Sequence, residues 1–254
     1  MSDILVWGFI AISSSVIFHI FHSRKNNFAF ISEGEKVKIA NKKVRVDKLA
    51  KIFKPIIYID KNFSDINLKP TYLQMIAVSV IDDRKNNKIF LNYHLFWNDE
   101  YYPVKIIDKI YRIFREFYYG TSIDIEFIRL TVCKFTGKLE EIHFESPKTA
   151  LSNYFLNSPI IMHRKLVLKF KNNILYLYKK GILRRKKEIK KIFIYSFPPA
   201  FKIISWNHLL SYIPNSSNEK TLLPIDMPMQ FLNLKDIKKY RLYRRSGCVM
   251  YVQK

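Results

Sequence analysis

The most constraining feature is a pair of period-two runs on either side of a short turn-forming segment. Gln74–Ile81 (QMIAVSVI) and Lys88–Trp97 (KIFLNYHLFW) are separated by the polar, turn-rich stretch around Asp82–Asn87 (DDRKNN). Apolar residues recurring at every second position line one face of an extended chain, and Asp/Asn clusters break such a chain into turns. The two runs therefore predict an antiparallel hairpin.

Similar patterns recur along the chain. Residues 36–49 (KVKIANKKVRVDKL) read as a hairpin around Asn41, and 55–59 (PIIYI) as a further strand ended by Asp60. Ile123–Cys133 alternates, skips phase at Phe127-Ile128 and alternates again, which predicts a β-bulge there. Thr136-Gly137-Lys138 turns the chain into Leu139–Glu145. Residues 166–179 read as a hairpin with an Asn172-Asn173 turn, and Ile189–Phe197 as a strand stopped by Pro198-Pro199. Trp206–Ile213 is expected to be a short helix capped by Ser205, and 214–230, with three prolines, an extended segment.

One strong helix interrupts the strands. Over Val104–Tyr119, Ile106, Ile107, Ile110, Ile113, Phe114 and Phe117 fall at three- and four-residue spacing and make one apolar stripe. Asp108, Lys109, Arg112, Arg115 and Glu116 populate the other face. Pro103 suits the first turn, and Gly120 suits a left-handed cap. Helix and strand do not alternate, so the pattern does not favour a doubly wound parallel sheet. The fold class expected is α+β: a mainly antiparallel β-sheet or sandwich with one prominent amphipathic helix.

An N-terminal transmembrane helix is expected to precede this domain. Ile4–Phe21 holds 18 residues without Asp, Glu, Lys or Arg. At 1.5 Å per residue that is about 27 Å of helix, close to the ~30 Å of a bilayer's hydrocarbon. A cleaved signal peptide fits less well, because Asp3 precedes the run, no Lys or Arg does, and no small-residue cleavage site follows. Arg24 and Lys25 come directly after the run. The positive-inside rule then places the N-terminus outside and the following domain in the cytoplasm, as a single-pass protein of the cell (inner) membrane. The organisation expected is an anchor at 4–21, a linker at 22–35 and an α+β domain at 36–254.

Composition matters chiefly through charge. The chain has 44 Lys+Arg and 21 Asp+Glu among 254 residues, a formal net charge of +23. Residues 151–254 hold 21 of the basic and only 4 of the acidic side chains, net +17, against +6 for the first 150. AT-rich coding would raise Lys everywhere, but it would not strip acids from one part of the chain. Two tracts carry the excess, 164–191 and 235–245. Arg184, Arg185, Lys186, Lys187, Lys190 and Lys191 form the core of the first. Lys238, Lys239, Arg241, Arg244 and Arg245 form that of the second. These are the candidate polyanion-binding residues. Held near a membrane, they suit anionic lipid head groups. The same cations, interleaved with Tyr176, Tyr178, Tyr240 and Tyr243, also suit nucleic-acid phosphates.

Catalytic signals are weaker. Six glycines and no Gly-rich phosphate loop argue against nucleotide binding. Cys133 and Cys248 make no C-x-x-C pair. His94, Asp99, Glu100, Asp124, Glu126 and His143 are candidate catalytic residues, since a metal-dependent hydrolase draws on converging histidines and carboxylates. Strand alternation puts Asp124 with Glu126, and Glu141 with His143 and Glu145. A turn at 136–137 sets His143 opposite Arg129 and Glu141 opposite Thr131. No H-x-x-x-H spacing occurs, and neither a resident metal nor a cofactor is expected. The reading is a membrane-anchored binding or scaffold domain, with the hydrolase and the nucleic-acid binder as alternatives.

Overall fold

The computed structural model describes residues 28–60, 72–99, 105–119, 121, 123–147, 163–171, 174–180, 186–192, 197–204, 208–213 and 222–242. The expectations for Ile4–Phe21, residues 22–27, Glu100, Pro103, Gly120, Asn172-Asn173, Arg184, Arg185, 205–207, 214–221, Arg244, Arg245 and Cys248 lie outside these residues.

In chain order the elements begin with β1 (Phe28–Ile31), β2 (Lys36–Ile39), β3 (Lys42–Arg45), α1 (Val46–Ile52), β4 (Ile56–Asp60), β5 (Leu73–Asp83) and β6 (Lys88–Trp97). Helix α2 (Lys105–Tyr119) follows, then β7 (Ile125–Cys133), β8 (Leu139–Pro147), β9 (His163–Lys171), β10 (Ile174–Lys180) and β11 (Lys186–Ile192). The chain continues with β12 (Ala200–Ile203), β13 (Leu210–Ile213), β14 (Leu222–Ile225), β15 (Met229–Phe231) and α3 (Leu234–Lys239). The architecture is mostly antiparallel sheet with few helices, as the strand patterns require.

Nine strands form one sheet in the order β1-β5-β6-β7-β8-β9-β10-β11: β5 to β11 are a meander of consecutive strands, β1 pairs antiparallel with β5, and β15 is added in parallel on β5. A second sheet has the order β13-β12-β4-β14, and β2-β3 is a separate hairpin. Ala40 and Asn41 turn that hairpin with φ of 47° and 64°, the left-handed pair that suits the twist of the flanking strands.

Strand alternation explains how the two sheets meet. One face of the large sheet presents Ile76, Val78, Leu91, Tyr93, Leu95, Ile128, Leu130, Ile142 and Leu168, all in one core with Ile57, Phe201, Ile203 and Leu210 of the small sheet. Phe201 fixes the contact, its ring 5.1 Å from Phe144 and 5.7 Å from Tyr212, both edge-on. The opposite face is covered at one end by α3: Ala77, Phe96 and Ile125 pack with Leu232, Ile237 and Leu242.

Several local expectations are corrected. The stretch read as linker holds β1, paired with Val80–Asp83 of β5. Residues 46–49 are helical, not the continuation of a hairpin, with Asp47 in the first turn of α1 and Lys51 in the last. That placement of charge suits the helix dipole. Leu210–Ile213 is a strand on β12 rather than a helix end, because Leu210 and Ile213 bury against the two sheets' cores. The bulge falls between Thr131 and Val132, in the pairing with β8, and the register with β6 runs unbroken through Phe127-Ile128. The apolar pair at 127–128 arises because both faces of β7 are covered there. The strand expected at Ile189–Phe197 begins three residues earlier, at Lys186.

Candidate functional site

The expected site residues divide between the two faces of the large sheet. His94 stands on β6 beside Asn92, and Asn92 pairs across to Arg129, which pairs across to His143. Cross-strand partners share a face, so these four lie on the face away from the shared core. Thr131 and Glu141 pair in the same way, as the turn at 136–137 requires. Glu126 pairs with Leu95, a core residue, and so belongs to the other face. Asp124 precedes β7 with the same parity. The carboxylates at 124 and 126 are therefore on the opposite side of the sheet from His94 and His143. Among the described residues no group of three or more His, Cys, Asp or Glu is placed to hold a metal ion.

What occupies each position is ordinary sheet chemistry. On the outer face Arg129 Nε donates to Asn92 Oδ1 at 2.9 Å, and its guanidinium lies over Phe90 and Phe127, 5.6 and 5.2 Å from the ring centres. His143 Nε2 is 2.9 Å from Glu141 Oε2, which also has Lys169 nearby, 3.3 Å from Oε1. The His94 ring tilts against Phe127 at 5.7 Å. Asp99 accepts from Arg112 Nη1 at 2.8 Å, and Asp108 accepts from Arg112 Nε at 2.8 Å. Those two carboxylates hold the Arg112 pKa above its already high usual value, against the opposing effect of burial.

A different constellation forms around Asp124. Arg115 Nη2 donates to Asp124 Oδ1 at 3.2 Å and to the Ile123 carbonyl at 2.9 Å. His208 Nδ1 lies 2.7 Å from Asp124 Oδ2. A carboxylate only accepts, so the His208 proton in this bond sits on Nδ1. The His208 ring stacks on Trp97 at 4.0 Å and 3°. All three side chains are buried, Arg115 to 3%, Asp124 to 5% and His208 to 1% exposure. His208 takes φ +57°, a left-handed conformation that a side-chain-bearing residue adopts at a cost. An Asp–His pair of this kind can orient an imidazole for catalysis. Here, however, it joins α2, the start of β7 and the approach to β13, and it is sealed from solvent. Its described contacts make a clamp between elements. Asp124 lies nine residues from Arg115 and 84 from His208, so no local spacing joins the three.

The surface around α2 is the second unanticipated feature. Arg112 and Arg115 turn inward onto Asp99, Ile123 and Asp124, while on the same side of the helix Asp108 pairs with Arg112 and the Tyr111 ring lies under the Arg115 guanidinium. The apolar stripe turns outward. Ile106, Ile110, Ile113, Phe114 and Phe117 are 55–83% exposed. The Ile107 side chain lies outside the described residues. At the C-terminal end of α2, Arg241 Nη1 donates to the Phe117 carbonyl at 2.9 Å. Helix α2 has no basic residue of its own in its last turn, so Arg241 supplies the cation that complements its dipole.

Of the polyanion-binding candidates, Lys238 and Lys239 are exposed on α3 and Arg241 follows directly. A capping box starts that helix: Asn233 Oδ1 accepts from the Asp236 N–H, and Asp236 Oδ2 accepts from the Asn233 N–H. Lys186, Lys187, Lys190 and Lys191 lie on β11, the last strand of the large sheet, where Lys186 and Lys187 pair with Lys180 and Lys179 of β10. The two basic tracts therefore occupy two places, since α3 packs over β5–β7. At ~4.8 Å per spacing, the four spacings from β7 to β11 come to about 19 Å. Comparison with protein-family models, curated proteins and solved structures finds no match to this chain.

Proposed function

We propose that this chain is a membrane-tethered, non-enzymatic binding or scaffold module whose basic surfaces meet anionic lipid head groups. The observation that carries the reading is the exposed cationic helix α3, with Lys235, Lys238 and Lys239 all solvent-facing. Lysines near an anionic leaflet contribute roughly 1 kcal/mol each. The uncharged run Ile4–Phe21 supplies the tether, and Arg24-Lys25 directs the domain to the cytoplasmic side. No described helix is long and apolar enough to cross a membrane, so the tether rests on that run.

Fractionation of cells expressing the full chain tests this. The protein should resist extraction by high salt and alkaline carbonate. The chain without residues 1–23 should bind vesicles containing phosphatidylserine, and should leave them as salt rises. A full chain found in the soluble fraction would overturn the tether. Binding to single-stranded oligonucleotides but not to anionic vesicles would transfer the basic surfaces to the nucleic-acid reading, whose salt dependence is equally steep.

A further inference from the structure

We infer that α2 is an in-plane membrane helix, seated on the surface of an anionic bilayer by its outward apolar stripe. The inference rests on the proposed membrane residence and adds the surface that faces the lipid.

Geometry is the starting point. At 100° per residue, Ile106, Ile110, Ile113, Phe114 and Phe117 span about 100° of the helix circumference. On the opposite side, Arg112 and Arg115 are committed to ion pairs with the rest of the domain. The helix is thus docked by its polar face, the reverse of a helix that covers a core. Such a stripe on a soluble surface marks an interaction site rather than scattered exposed residues.

Length and charge identify the occupant. Fifteen residues make about 22 Å of helix, too short for the ~30 Å hydrocarbon layer. An apolar stripe of this width in a short helix is what lies in the bilayer interface. Lys105 and Lys109 are exposed and flank one side of the stripe, where their stems cover apolar surface and their ammonium groups reach head groups. Glu116 shares that flank. Arg241, just beyond α3, donates to the Phe117 carbonyl and so adds a cation at the C-terminal end of the stripe. Cations on one flank and at one end of an apolar stripe complement an anionic membrane surface. A second copy offers the same basic excess rather than the anions of a lipid surface, so the bilayer is the better complement.

The test uses the full chain with both cysteines replaced by serine and one environment-sensitive fluorophore attached at Ile113→Cys. The same label at Lys85→Cys, in the exposed turn between β5 and β6, serves as the control. Vesicles of phosphatidylcholine with and without phosphatidylserine are added. The label at 113 should shift to the blue and lose most of its intensity to brominated acyl chains, more so with phosphatidylserine. The label at 85 should do neither, and Ile110→Glu with Phe117→Glu should abolish the shift. A chain that is held by the vesicles while its label at 113 stays in water overturns the inference and leaves the tether standing. A chain that never joins the vesicles overturns both. A blue-shifted label without lipid overturns the inference too. In that case independence of protein concentration assigns the stripe to Ile4–Phe21, and dependence on it to a second copy.

Discussion

Asp124 shows how one residue acquires its role from parts of the chain far apart in sequence. Its two oxygens take Arg115 from α2 and His208 from the approach to β13. Removing it takes a carboxylate acceptor from two buried groups, a loss typically worth about 3–5 kcal/mol. Asp124→Ala should lower the urea midpoint accordingly, and a loss below ~1 kcal/mol, the range of surface ion pairs, would show the clamp to be dispensable. Tyr93 carries a second prediction. Its hydroxyl donates to the Ala50 carbonyl in the last turn of α1 at 2.7 Å, and burial pushes its pKa well above the usual value. In the unfolded chain a phenol ionises near pH 10, while the folded state keeps the proton. Stability from this residue is therefore complete below that pH and falls as pH rises, by up to about 1.4 kcal/mol per pH unit. Tyr93→Phe should cost about 1–2 kcal/mol at neutral pH through the lost hydrogen bond. It should also remove part of the alkaline decline, and equal slopes for the two proteins in pH-dependent unfolding would contradict this.

At the scale of the element, α2 separates what a helix contributes to folding from what it contributes to a surface. The stripe predicted from residues 106–117 is there, but its direction is inverted. Period alone cannot say which face turns inward, since the polar face had partners that strand pairing brought into place. Ile106→Ser and Ile110→Ser should each change unfolding stability by no more than about 0.5 kcal/mol, as for surface positions, while Arg115→Ala should be clearly destabilising in the same thermal melts. A drop of several kcal/mol for the isoleucines would mean that the stripe is buried in the folded chain. The strands were more legible. The β5–β6 hairpin and the pairings of Arg129 with His143 and Thr131 with Glu141 follow from alternation and one turn. Leu210–Ile213 was not legible as a strand, because four residues give no distinguishable period and only pairing with β12 makes them extended.

For the whole molecule, the catalytic candidates illustrate the limit of linear reading. His94, Asp124, Glu126 and His143 are close in strand order, yet alternation sends the carboxylates at 124 and 126 to one side of the sheet and the histidines to the other. The charge tracts behave similarly: contiguous in composition, they are parted between α3 and the edge strand β11. The amino-acid sequence alone determined the strand and helix periods, the turns between neighbours and the asymmetry of charge, because these depend on local spacing and side-chain type. Tertiary structure decided which face of α2 meets solvent, which distant groups meet at Asp124 and where the lysines stand, because those depend on the docking of two sheets through a core that no local segment contains.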